Sequence, residues 1–182
     1  MIKIPAQFAQ KMRTVYPSQG QRWLDNLPQL LAHYAELWGL SHLSTLDNLS
    51  YNYVATAVQD GQHPVVLKAG VPNPELLNEG SALQLYNGRG AVKLLAADGE
   101  NGVYLLERVL PGTPVHQVVG DDEATRIAAQ VMQTLWRPVP ENHSFPTLQK
   151  WTRAFGRLRK RFEGGSGPLP ETLVAKAEAL FA

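Results

Sequence analysis

The spacing of apolar residues changes several times along the chain, and each change predicts an element. From Pro5 to about Trp38 the pattern is helical, first over Gln7 to Val15 and then, past the breaker Pro17-Ser18-Gln19-Gly20, over a longer segment. In that segment Trp23, Leu27, Leu30, Leu31, Tyr34 and Trp38 recur at three-to-four spacing, the period of one buried helical face. Pro28 is placed to kink this helix and Gly39 to stop it. Between Leu43 and Gly70 the texture turns to short β-type runs: Leu43 to Leu49, Tyr53 to Val58 and Pro64 to Ala69. Asp60-Gly61-Gln62-His63 joins the last two, a connection short enough to favour an antiparallel hairpin.

Pro72 and Pro74 end that run and open a helix from Pro74 to Asn87, with Asn87-Gly88 as its stop. Two more strand-like runs follow, Ala91 to Ala96 and Gly102 to Val109, joined through Asp98-Gly99-Glu100-Asn101-Gly102. These runs predict a five-stranded, mostly antiparallel sheet with one helix inserted after its third strand. Beyond the stiff connector Leu110-Pro111-Gly112-Thr113-Pro114 the pattern is helical again. Asp121-Asp122-Glu123 supply an acidic first turn, and Ala124, Ile127, Val131 and Leu135 line one face. A further helix carries Trp151, Ala154, Leu158 and Phe162 on one side and ends at Gly164-Gly165-Ser166-Gly167-Pro168; the last runs from about Pro170 to Ala182. The predicted class is α+β, with a helical segment over 1–40, a sheet lobe over 41–110 and a connector with helices over 111–182.

Composition narrows the chemistry. At 182 residues and 20.1 kDa the chain is one domain or two small lobes. With no cysteine it can build neither a disulfide framework nor thiolate-ligated metal sites. Seventeen basic against 16 acidic residues leave +1, so no global field draws it to nucleic acid or an anionic membrane, and a charged ligand must be held locally. No uncharged stretch approaches the ~20 residues of a bilayer span, and no apolar run of signal-peptide length opens the chain. The expectation is a cytoplasmic protein with neither nucleic-acid nor membrane partners. The basic residues Arg153, Arg157 and Lys160 lie opposite Trp151, Ala154 and Phe162, the layout of a solvated amphipathic face rather than a nucleic-acid surface.

One residue breaks the apolar pattern informatively. On the helix from Pro74, positions Leu76, Glu79, Leu83 and Tyr86 share a stripe, three of them apolar and one a carboxylate. A charge on a core-facing stripe needs a partner. The preceding strand offers Lys68, which alternation places with Val66 on one face while Val65, Leu67 and Ala69 take the other. The ammonium and the carboxylate are expected to meet at the sheet's edge. A strand lysine paired with a glutamate on the following helix is how a kinase-like lobe aims an ammonium at the phosphates of ATP.

With that pair in view, the chain resembles the N-terminal part of an aminoglycoside phosphotransferase-like kinase, most closely the streptomycin 6-kinase and hydroxyurea phosphotransferase branch. The matching segments are Arg22-Trp23-Leu24, Tyr53-Val54, Val65-Val66-Leu67-Lys68, Asn78-Glu79, Leu105-Leu106-Glu107-Arg108, Pro111-Gly112-Thr113 and Pro168-Leu169-Pro170. The resemblance implies a protein-kinase-like N-lobe followed by the leading helices of a second lobe. It implies ATP as phosphoryl donor, Mg²⁺ as its companion in the parent enzyme, and a hydroxyl group of a small molecule as acceptor. Lys68 would contact the nucleotide phosphates, with Glu79 holding it. The turn Leu49-Ser50-Tyr51-Asn52 would roof them through Ser50 and Asn52, although it lacks the glycine-rich pattern of protein kinases. Backbone of Glu107 and Val109 would meet the adenine edge.

The family's His-Gly-Asp catalytic loop and its metal-binding Asp find no counterpart. No His-x-Asp occurs, and His33, His42, His63, His116 and His143 are scattered without metal-ligand spacing. The expectation is therefore a fragment of a phosphotransferase without its catalytic base and metal ligands, whose exposed cleft face favours association between chains. The competing expectation is a pseudokinase-like binding module that keeps the nucleotide lobe without the chemistry.

Overall fold

A computed structural model describes residues 3–181. The chain divides into two compact units, Met1–Pro138 and Val139–Ala182. In the first, helices α1 (Ala6–Val15) and α2 (Gly20–Leu37) precede strands β1 (Leu40–Thr45), β2 (Tyr53–Gln59) and β3 (His63–Ala69). Helix α3 (Pro74–Tyr86) follows, then β4 (Leu94–Asp98), β5 (Val103–Glu107), a single 3₁₀ turn and α4 (Asp121–Leu135). The five strands form one sheet of order β1-β2-β3-β5-β4, every neighbouring pair antiparallel.

Alternation sorts the sheet's side chains onto two faces. One face sends Tyr53, Ala55, Leu67, Ala69 and Val103 against Phe8 and Met12 of α1 and Trp23, Leu27, Leu31 and Tyr34 of α2. Leu27 and Leu31 are fully buried, and each such side chain contributes about 1.5–3 kcal/mol by leaving water. The α2 periodicity thus seats the helical preface on the sheet. Pro28 lies inside α2 on its exposed side, and the helix runs on past it to Leu37. The opposite face sends Val66, Tyr104 and Leu106 against Leu76 and Leu83 of α3. Strand β5 is buried from Val103 through Leu106 because both of its faces are covered.

Three strand boundaries differ from expectation. Strand β1 begins at Leu40 and ends at Thr45, leaving Leu46 to Leu49 in the turn. Gly39 at φ 61° ends the helix directly into the strand, and His42 at φ 54° makes a bulge between Ser41 and Ser44, so the alternation that marks a strand is broken there. Strand β4 begins at Leu94, while Ala91 and Val92 pack beside α3 as irregular chain. Strand β5 stops at Glu107, leaving Arg108 and Val109 in the exposed connector.

The second unit contains α5 (Leu148–Arg161) and α6 (Glu171–Phe181). Thr147 caps α5 by accepting from Lys150 N–H at 3.2 Å. Arg159 joins the two helices: Nε and Nη2 donate to the two oxygens of Glu178 at 2.9 and 2.6 Å, and Nη1 donates to Glu171 at 2.9 Å and to the Gly164 carbonyl at 3.0 Å. Bidentate bonding of this kind holds the guanidinium firmly charged and the Glu178 carboxyl below its usual range.

Candidate functional site

The site grows from the middle of the sheet. Lys68 lies on β3 between Val54 of β2 and Tyr104 of β5 in the strand registers. The sequence placed the Lys68–Glu79 meeting at a sheet edge; β3 is instead the central strand, because β5 returns to pair beside it after the α3 excursion. Lys68 Nζ donates to Glu79 Oε1. The lysine side chain keeps 17% of its surface exposed and the glutamate 37%, so the pair is sheltered but open to a ligand. At that exposure the pair contributes about 1 kcal/mol or less to stability, which leaves position as its main product.

Three contacts set the helix that carries Glu79. Asn73 caps α3, its Oδ1 accepting from Glu75 N–H at 2.9 Å and Leu76 N–H at 3.0 Å. Its Nδ2 donates to Val71 O at 2.9 Å and to Tyr16 Oη at 3.4 Å, tying the cap to the end of α1. On the sheet side, buried Tyr104 donates its hydroxyl to Leu76 O at 2.5 Å. Burial, and after it the nearby Glu79 charge, pushes the Tyr104 phenol above its ordinary pKa, so it stays a donor. Gly80 makes the close approach feasible: a Cβ there would stand 2.8 Å from Tyr104 Oη.

Two adjoining clefts open beside the pair and share Tyr51 and Asn52. One, of about 240 Å³, is lined by Leu46, Ser50, Val54 and Lys68. Lys68 is the charged residue of this lining, and Glu79 meets its ammonium from the side of the adjoining cleft. The other, of about 290 Å³, is lined by Tyr16, Asn73, Glu75 and Glu79. The turn bearing Ser50 and Asn52 therefore lies over Lys68, with Ser50 exposed and the Asn52 amide oxygen set against Gly70.

Glu107 and Val109 line neither of these clefts. Glu107 ends β5 with its N–H donated to Lys93 O at 3.0 Å and its carboxylate accepting from Lys93 N–H at 2.7 Å. A base-edge contact at this residue therefore falls to its carbonyl. Val109 is exposed in the connector. Among the described residues no group of three or more His, Asp or Glu side chains gathers to hold a metal ion. Nor, among them, is any helix long and apolar enough to cross a membrane.

Tyr104 and Tyr16 escaped the sequence reading. Tyr104 lies in the run Val103 to Leu106, whose uninterrupted burial hides which residue faces α3. Asn73 before Pro74 is a cap signal legible in the sequence itself.

The family described as aminoglycoside/hydroxyurea antibiotic resistance kinase matches residues 43–182, more than half of the chain. The chain belongs to this family. Its sheet and α3 are accordingly a kinase-like N-lobe within an α+β fold. It is similar to a hydroxyurea phosphotransferase of Kitasatospora aureofaciens, 30% identical over 122 residues, covering 67% of this chain and 36% of that protein. A streptomycin 6-kinase of Streptomyces glaucescens is 29% identical over 140 residues, 74% of this chain and 44% of that protein. A second streptomycin 6-kinase, of Streptomyces griseus, is 26% identical over 134 residues, again 74% of this chain and 44% of that protein. The chain thus spans less than half the length of these curated relatives. No solved structure matches it.

Proposed function

We propose that this chain supplies the nucleotide-holding lobe of an ATP-dependent O-phosphotransferase whose acceptor is a small molecule of the streptomycin or hydroxyurea kind. The observation that carries the reading is Lys68 held by Glu79 on the wall of a cleft that the Ser50–Asn52 turn also lines. ATP, when bound, supplies the phosphoryl group. Lys68 offsets negative charge on the nucleotide phosphates, and Glu79 keeps its ammonium from folding back onto the sheet. Ser50 and Asn52, on the turn above, close the cleft from the other side. The Glu107 carbonyl and the Val109 N–H, outside the two clefts, would meet the adenine edge. No acceptor-activating base and no Mg²⁺ ligand set is assigned to the described residues, and the chemistry they provide is binding and orientation.

The test is saturation-transfer NMR of ATP with the purified chain, beside a phosphotransfer assay toward streptomycin and hydroxyurea. Binding is expected to weaken when Lys68 becomes Ala, with little transfer by the chain alone. Nucleotide contact untouched by Lys68→Ala would overturn the assignment, and Lys68-dependent turnover would place the transfer chemistry among these residues. Association between chains through the cleft face is checked by size-exclusion chromatography with light scattering.

A further inference from the structure

We propose that Tyr104 is a positioning residue for Lys68, acting through α3. Lys68 and Tyr104 are partners in the β3–β5 register, so their side chains leave neighbouring strands on the same face. Tyr104 is 1% exposed and spends its hydroxyl on Leu76 O, in the first turn of α3. Leu76 and Gly80 stand one turn apart on the stripe that meets the sheet, and Glu79 lies beside that stripe. The phenol therefore touches α3 twice: its hydroxyl bonds a carbonyl, and its ring edge rests in the gap left by Gly80. The first contact resists lifting of the helix and the second resists its rotation. A carboxylate about 6 Å from a helix axis moves about 2 Å for a rotation of roughly 20°, enough to part it from a lysine.

A hydroxyl with only a packing role would not act this way. A phenylalanine fills the same space, so the hydroxyl's own product is the register of α3 on β5. The consequence for phosphate holding rests on the nucleotide reading above; the consequence for the Lys68–Glu79 pair does not.

The experiment reads the pair directly. In the full chain labelled with ¹⁵N-lysine, the Lys68 ammonium held by Glu79 is expected to exchange slowly enough to give a cross-peak, assigned by its loss in Lys68→Met. Tyr104→Phe is expected to abolish or broaden that peak while the backbone spectrum stays folded. Tyr53→Phe is the control, because Tyr53 is equally buried and shares a 2.6 Å hydroxyl bond with Thr45 on the opposite face. It is expected to leave the peak intact. An unchanged peak in Tyr104→Phe, or equal loss in both variants, overturns the proposal. 4-Aminophenylalanine at position 104, which keeps a donor, is expected to restore the peak. If Tyr104→Phe does not fold, the wild-type chain serves in equal parts H₂O and D₂O. A Tyr104 ¹³Cζ signal split by slow hydroxyl exchange supports the bond, and one averaged line removes it. ATP affinity is measured separately and is expected to fall about three- to tenfold in Tyr104→Phe. Loss of the ammonium peak with ATP affinity indifferent to both Lys68→Met and Tyr104→Phe would sink the nucleotide reading and leave this one standing.

Discussion

Replacing Tyr34 by Phe removes a hydrogen bond that ties the helical preface to the far hairpin of the sheet. Tyr34 of α2 donates to Asp98 Oδ2 at 2.5 Å, at the end of β4, and its ring lies 4.6 Å from that of Trp38. A bond to a charged acceptor contributes about 1.5–3 kcal/mol. Asp98 also accepts from Asn101 N–H and Nδ2, each at 3.0 Å, so the loss belongs at the lower end, about 2 kcal/mol. For a chain of this size that lowers Tm by roughly 4–8 °C. The pH dependence gives a sharper signature. Burial, reinforced by Asp98, pushes the Tyr34 phenol up to about 12 from 10.0. A raised pKa means stability fully present below about pH 10 and lost as pH rises toward 12. The Tyr34 and Asn101 hydrogen bonds hold Asp98 below the usual carboxylate range, so its contribution is present above pH 4 or so and fades as pH falls through the lowered value. The assay is urea unfolding of both proteins from pH 3 to 11. The stability gap is expected to be widest near neutrality and to shrink at both ends. A gap that stays flat across that range, or is absent at pH 7, would refute the reasoning.

Removing the α3 cap with Asn73→Ala exposes the N–H groups of Glu75 and Leu76 and is expected to cost about 1 kcal/mol in denaturant unfolding. Hydrogen exchange should quicken in the first turn of α3. Gly80→Ala gains up to about 1 kcal/mol of helix propensity but drives a methyl into Tyr104, costing about 1–3 kcal/mol, so net destabilisation is expected and a higher Tm would contradict the packing. Arg159→Lys keeps the charge and loses the bidentate fork shared with Glu178 and Glu171. Faster amide exchange over Glu171–Phe181 is the expected outcome, with the β-sheet amides unchanged.

Much of the lobe was legible because its signals are local. The Asp60-Gly61 connection lies in the β2–β3 turn, Pro74 opens α3, and Asn87 at φ 47° ends it. The Lys68–Glu79 contact was legible too, since alternation on β3 and the stripe on α3 each point one side chain inward. What could not be read was the order of the strands. That β5 lies beside β3, making Lys68 central, depends on long-range pairing that no local spacing encodes. Nor could the bulge at His42 be anticipated, because it shifts β1 by breaking the alternation used to find it. Trp151 lies on the apolar side of α5 yet is exposed, so helical spacing identifies a face without saying what covers it.

The strand order also sets how far apart in sequence the paired strands lie. Strands β1, β2 and β3 zip through short connections, whereas β3 can meet β5 only after the chain from Gly70 to Gly102 has closed into a loop. That closure carries an entropic toll before any ladder bond repays it. The wall that Tyr104 builds beside the amine of the third strand therefore exists only once that long loop has closed. Lengthening the chain between Gly70 and Gly102 should slow folding more than the same insertion in the β2–β3 turn.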